Sequence, residues 1–133
     1  MVAVNYKSFF NLRQKYQIPK STNYWIDVEK WAQSETNKSD TFVVLPRQIG
    51  FRIYSKRQII PDLKDGAVVM YDPIYAKKWQ EISNDFANFY NLSEVDFINL
   101  KNKYNFNYIV TVKEHLLNLE IAYKNDYYVV YKI

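Results

Sequence analysis

Cysteine is absent from this chain of 133 residues, which excludes disulfide bonds, thiolate zinc sites and a cysteine nucleophile. Glycine occurs only as Gly50 and Gly66, so neither the dinucleotide-binding nor the P-loop glycine pattern is present. No run of about 18 apolar residues exists, so the sequence predicts no membrane-spanning helix. The first residues lack the apolar core and cleavage pattern of a signal peptide, and we expect none.

Apolar and aromatic residues are abundant. They make up 48% and 18% of the chain, which is ample for one hydrophobic core at this length. The formal net charge of +4 permits contact with phosphate or anionic lipid without requiring either. Because the lysines are scattered along the chain, nucleic acid is not an expected partner. We therefore expect a single domain at 23–133, preceded by an N-terminal arm at 1–22.

The arm alternates aromatic and basic residues, from Phe9 and Phe10 to Tyr16, and Pro19 ends the segment. One interpretation is an amphipathic piece that lies near a membrane or binds a partner. The other is a short helix or coil packed on the domain, and we favour this second interpretation.

Hydrophobic periodicity predicts helices that alternate with strands. The predicted elements are a helix at 23–36, strands at 41–45 and 58–61, helices that begin at Pro73 and after Ser93, a strand at 108–112, and a hairpin of strands at 120–123 and 127–132. This order predicts an α/β fold: a single layered domain with a mixed, mainly parallel sheet flanked by helices, and a C-terminal antiparallel hairpin. Residues 51–54 fit either a helical turn or an edge strand.

The first helix has a clear apolar side formed by Trp25, Val28 and Ala32. The residues predicted to face away from the core are Asp27, Glu29, Lys30 and Gln33. Four hairpin tyrosines would suit stacking on a sugar or a base, but we favour their packing in the sheet: Tyr123, Tyr127, Tyr128 and Tyr131.

The stretch 41–65 is the expected working edge of the domain. Its buried strand ends at Pro46 and leads into a basic loop. The predicted ligand-binding residues are Arg47, Arg52, Lys56, Arg57 and Lys64. Ligands of such sheets bind beyond the carboxyl ends of the strands, and the guanidinium fork suits carboxylate or phosphate, so an anionic small ligand is expected. The alternative is that these cations hold the loop itself by pairing with carboxylates, and the sequence leaves both interpretations open.

The alternative function is an enzyme that uses Asp62, Asp65 or His115. The aspartates bracket a loop where paired carboxylates would suit acid–base work or magnesium. Turn chemistry explains them equally well. His115 is the only histidine and is expected at the surface after a strand. We expect no catalytic residue, no metal and no cofactor.

The chain resembles the soluble C-terminal domain of bacterial multi-spanning membrane proteins that are similar to membrane glycosyltransferases of the oligosaccharyltransferase type. The segments that carry the resemblance are YWIDVEKWAQSETNKSDTFVVLP, GFRIYSKRQIIPDLKD, KYNFNYIVTV and AYKNDYYVVYKI. The most distinctive part is the FR-x-x-S-x-R loop of Phe51, Arg52, Ser55 and Arg57.

The resemblance covers about residues 23–133 and implies a function without catalysis. The transferase chemistry of such proteins would lie in membrane spans that this sequence does not contain. The resemblance therefore implies an accessory or recognition domain that is associated with a membrane. Its partner would be a membrane protein or the membrane surface, and the contact would use the loop from Arg47 to Asp65. A purely structural protein–protein interaction domain is the remaining alternative.

Overall fold

The structure, a computed structural model, describes residues 21–46, 48, 50–61 and 71–133. The helices are α1 (Ser21–Glu35), α2 (Phe51–Ser55), α3 (Pro73–Asp85) and α4 (Glu94–Tyr104), with a 3-10 turn at Phe89–Asn91. The strands are β1 (Thr41–Val44), β2 (Gln58–Ile60), β3 (Tyr108–Val112), β4 (Glu120–Lys124) and β5 (Tyr128–Lys132). Except for its last two residues, the predicted arm lies outside the described part of the chain.

The five strands form one mixed sheet in the order β2-β1-β3-β5-β4. Strand β1 pairs in parallel with β2 and β3, whereas β5 pairs antiparallel with β3 and β4. The α/β class with a mixed sheet is confirmed. A mainly parallel sheet is not confirmed, because the second hairpin strand inserts beside β3 and makes two of the four pairings antiparallel.

Helices α1 and α2 cover one face of the sheet. The Trp25 ring lies 5.7 Å from Phe51 and 5.1 Å from Tyr128, measured between ring centroids. Phe51 in turn packs on Phe42 of β1 at 5.1 Å. Residues 51–54, which the sequence left undecided, are therefore a helical turn whose first residue anchors it to the sheet.

The opposite face is covered by the segment that follows α3. Phe86 packs on Phe106, and Phe89 packs on Phe97 of α4. A polar cluster joins the two helices, because Lys103 Nζ lies 2.7 Å from a Glu81 oxygen and 2.8 Å from an Asp85 oxygen. These contacts lower the pKa of Asp85, chiefly through the hydrogen bond from Lys103.

Three helix ends are closed by local chemistry that the sequence itself indicates, namely an aspartate before Pro73, the three-residue spacing of Ser93 and Asp96, and an asparagine after Tyr104. Asp72 accepts hydrogen bonds from the amides of Ile74 and Tyr75 and so caps α3. Ser93 and Asp96 form a complete capping box at the start of α4. Asn105 ends α4 in the left-handed conformation at φ 54°.

Candidate interaction surface

Arg57 lies in the interior, with 4% of its surface exposed. Its Nε donates to Thr36 Oγ1 at 2.9 Å. One terminal nitrogen donates to the carbonyl oxygens of Gln33 at 2.8 Å and Thr36 at 2.7 Å. The other donates to the carbonyl oxygens of Ser55 at 3.4 Å and Lys56 at 3.1 Å. All five N–H groups of the guanidinium are therefore directed at protein oxygens.

We call this arrangement of Arg57 around the end of α1 the arginine clasp. The carbonyls of Gln33 and Thr36 lie at the C-terminus of α1, where helical carbonyls lack partners within the helix and the helix dipole favours a cation. Thr36 Oγ1 also donates to the Ala32 carbonyl. The clasp thus ties the end of the first helix to the segment that leads into β2.

Ser55 completes the clasp from within α2. Its hydroxyl donates to the Phe51 carbonyl and accepts the backbone N–H of Arg57 at 3.2 Å. Ser55 and Phe51 are both fully buried. The FR-x-x-S-x-R pattern therefore places Phe51, Ser55 and Arg57 inside the protein.

The remaining side chains of this segment point outward. Ile53 is 63% exposed and Tyr54 is 66% exposed, with Arg52 and Lys56 also exposed beside them. We call Arg52, Ile53, Tyr54 and Lys56 the basic face. Because the buried side chains of Phe51, Ser55 and Arg57 alternate with these residues, the backbone that carries the basic face is anchored before any partner arrives.

The backbone at both ends of α2 is turned sharply. Gly50 has φ 93°, and a Cβ at this position would meet the Tyr54 ring at 3.1 Å, so the turn into α2 requires glycine. Lys56 ends the helix in the left-handed region at φ 55°. These two turns set the direction of the basic face relative to the sheet.

Two of the predicted ligand residues lie at the opposite end of the strands from the one that the sequence predicts. Arg47 follows β1 in sequence, whereas Lys56 and Arg57 directly precede β2, which runs parallel to β1. Lys56 and Arg57 therefore lie at the amino ends of the strands, not beyond their carboxyl ends where the sequence argument placed the ligand.

Arg47, Asp62, Lys64 and Asp65 lie outside the described residues. Arg52 lies on the basic face.

His115 is half-buried, and both of its ring nitrogens have partners. Nδ1 lies 3.0 Å from Thr111 Oγ1, and Nε2 lies 2.8 Å from the Leu92 carbonyl oxygen. The Leu92 carbonyl can only accept, so Nε2 carries a proton and donates it. Phe89 and Phe97 pack around the ring. His115 thus fastens the loop after β3 to the segment before α4.

Within the part of the chain that the structure describes, no group of three or more histidine, aspartate or glutamate residues is placed to hold a metal ion. No described helix has the length and apolarity needed to cross a bilayer.

The hairpin tyrosines serve packing. Tyr128 and Tyr131 are buried, and Tyr123 stacks on Trp31 at 5.3 Å between ring centroids. Tyr127 packs on Tyr24 at 4.8 Å. The favoured interpretation of these residues as sheet packing is thus confirmed for the two buried rings.

Comparison with protein families gave a match over the first part of the described chain. Residues 23–85 match a family described as a domain of unknown function (DUF6798). The matched segment runs from α1 to the end of α3 and so contains the arginine clasp and the basic face. No curated protein and no solved structure matches the chain.

Glu29 is a buried polar residue that the sequence pattern placed on the solvent side of α1. It is 3% exposed, and its Oε1 has no hydrogen-bond partner among the described residues. The nearby Trp25 Nε1 is also buried without a partner of good geometry. Burial raises the pKa of Glu29, and the Trp25 indole N–H lowers it by less. The sequence spacing does indicate this burial, because Glu29 lies four residues after Trp25 and therefore on the same side of the helix.

We expect Glu29→Gln to stabilise the protein at neutral pH. A carboxyl group whose pKa is raised by folding contributes its full stability below the pKa of the unfolded chain and loses it as the pH rises through the folded pKa. The free energy of unfolding of the variant relative to the wild type should therefore grow with pH across that window and then level off. Denaturant titrations at a series of pH values measure this difference, with Glu35→Gln as the control. A difference that does not change with pH would contradict the assignment.

Proposed function

We propose that this chain is a non-catalytic recognition module whose basic face binds a partner protein. The observation that carries the proposal is the alternation of buried and exposed residues across 51–57. Three buried side chains lock the segment, and four others are displayed to solvent. Arginine and tyrosine are among the residue types that most often dominate binding energy at protein interfaces.

The chemistry of the segment supports a protein partner over a small anion. Arg57 has no N–H group left for a ligand, because all five are directed at protein oxygens. The exposed apolar groups of Ile53 and Tyr54 gain most from burial against another apolar surface. Flanking cations favour acidic residues on that partner, which would fix its orientation and speed its approach.

The resemblance to soluble tails of membrane glycosyltransferase-like proteins supports a place beside a membrane protein. In this proposal the transferase chemistry, the sugar-phosphate substrate and the membrane spans belong to that neighbouring membrane protein, which is distinct from the protein that the basic face binds. This chain supplies recognition alone.

A site-specific photo-cross-linker tests the proposal. A photo-cross-linking amino acid replaces Ile53 in the protein as it is produced in cells. A control protein carries the same amino acid in place of Ile121, which is 53% exposed on β4. We expect a protein that is cross-linked from position 53 and not from position 121. Once identified and purified, that protein should bind the unmodified chain, and Lys56→Glu should weaken binding about tenfold or more. Equal cross-linking from both positions, or no effect of Lys56→Glu, would overturn the proposal.

A further inference from the structure

A second exposed surface has the chemistry that complements the basic face. It lies around the hydrogen bond between His115 and the Leu92 carbonyl. Its residues are Tyr90, Glu94, Val95, Glu114 and Leu116, which we call the acidic face. Leu116 is 80% exposed, and Tyr90 and Val95 are exposed by half or more. The acidic face therefore combines apolar groups with carboxylates, as the basic face combines them with cations.

The acidic face is held as firmly as the basic face. His115 joins the loop after β3 to the segment before α4, and the Tyr90 ring lies 6.4 Å from the His115 ring between centroids. The capping box of Ser93 and Asp96 fixes the first turn of α4, which carries Glu94 and Val95. Both surfaces are thus formed before any association.

The two faces carry charges of opposite sign, with Lys56 on the basic face and Glu94 and Glu114 on the acidic face. No acidic residue occurs in the sequence between Leu45 and Pro61. In the described part of the chain no ion pair joins Lys56 to a carboxylate. Lys56, Ile53 and Tyr54 complement a surface that has carboxylates beside apolar groups. The acidic face is such a surface.

We propose that the partner of the basic face is a second copy of this chain, which offers its acidic face. This inference rests on the proposed function, since it names the partner of the same surface. The basic face belongs to the layer that packs on Phe42, and the acidic face belongs to the layer that packs on Thr111. Phe42 pairs with Tyr108, and Thr111 lies three residues further along β3, so the two side chains lie on opposite faces of the sheet. Copies would therefore associate head to tail, in a heterologous contact that continues from one copy to the next.

Sedimentation velocity of the full chain tests this inference, at concentrations from about 1 µM to about 1 mM, which span weak transient contacts. We expect the mean mass to rise with concentration at low salt. The rise should shrink at about 1 M salt, where exposed charges are screened within a few ångströms. A chain that stays monomeric throughout this range would overturn the inference.

Two blocked variants give the sharper test. The first carries Ile53→Gln and Lys56→Gln, which block the basic face without adding a charge that the lysines of the second variant could pair with. The second carries Val95→Lys and Leu116→Lys, which block the acidic face. Each should remain monomeric alone, and an equal mixture should form a one-to-one pair and nothing larger, because each variant keeps one intact surface. The control Ile121→Lys should associate as the wild type does.

The outcomes separate this inference from the proposed function. Association that survives in either blocked variant, or a mixture that does not pair, would overturn head-to-tail contact through these faces. If the chain is monomeric but a different protein is cross-linked from position 53, the recognition function stands and the second copy is excluded. If position 53 cross-links nothing and the chain is monomeric, both are excluded.

Discussion

A fragment that ends at Asp85 will not fold, although it contains every residue that matches the family. Strand β1 lies between β2 and β3 in the sheet, so the fragment keeps only the pairing with β2, which is three residues long. Two short strands do not form a stable sheet in water. The matched segment is therefore part of a folding unit that needs residues beyond it.

The contacts that the fragment would lose lie at the centre of the core. Phe42 stacks on Tyr108 at 4.8 Å between ring centroids. The Leu45 amide donates to the Val110 carbonyl at 3.0 Å, and the Asn107 amide donates to the Thr41 carbonyl at 2.8 Å. Without β3, the buried side chains of β1 would face water, and burial of such residues is the main favourable contribution to folding.

Circular dichroism and thermal denaturation of residues 1–85 measure the result. We expect no cooperative transition, whereas the full chain should unfold cooperatively. A second fragment, 21–133, serves as the matched control because it keeps all five strands, and we expect it to fold. A cooperative transition in 1–85 would show that the family match marks an independent domain.

The elements that the sequence predicted well are those fixed by local chemistry. The cap at Asp72, the box at Ser93 and the left-handed Asn105 each depend on a few neighbouring residues, so spacing alone identifies them. The strand at 108–112 shows the same advantage, because its run of β-branched and aromatic residues is long enough to stand out.

The elements that the sequence did not settle depend on distant partners. Insertion of β5 beside β3 is a pairing choice that the hairpin signal cannot reveal, since a hairpin can attach to a sheet by either strand. The residue type of Glu29 predicts the polar side of α1, whereas its position four residues after Trp25 predicts the buried side, where it lies.

The basic loop shows the same limit for function. The local sequence does not distinguish a buried arginine from a ligand-binding one. The reason here is that two of the carbonyl groups that accept from Arg57 lie 21 and 24 residues away in the chain. The sequence pattern singles out the segment and leaves the position of each side chain open. Its interior and exterior residues are told apart only by the fold.

Arg57→Ala should lower the free energy of unfolding by about 3 kcal/mol or more, the range expected when a buried network of hydrogen bonds to a charged group is broken. The variant leaves the carbonyls of Gln33 and Thr36 without their donor and opens a cavity beside them. No carboxylate is seen within ion-pair distance of Arg57 among the described residues, so these carbonyls and the dipole of α1 are what stabilise its buried charge. Arginine suits this buried position better than lysine, because a guanidinium group is more weakly hydrated than an ammonium group.

Arg57→Lys should recover only part of that loss. Lysine keeps the positive charge but has three donors in place of five, and it cannot reproduce the planar fork that reaches four carbonyls and a hydroxyl. Lys56→Ala is the matched control, because it removes one cation from the same segment at an exposed position and should change the stability by about 0.5 kcal/mol or less. Urea denaturation of the three variants measures the ranking. If Arg57→Ala were as stable as Lys56→Ala, the arginine clasp would contribute nothing to folding, and Arg57 would again be a candidate binding residue. If Arg57→Ala is the least stable of the three variants, the role of Arg57 is to hold the basic face in place. Binding is then left to the exposed side chains that Arg57 positions.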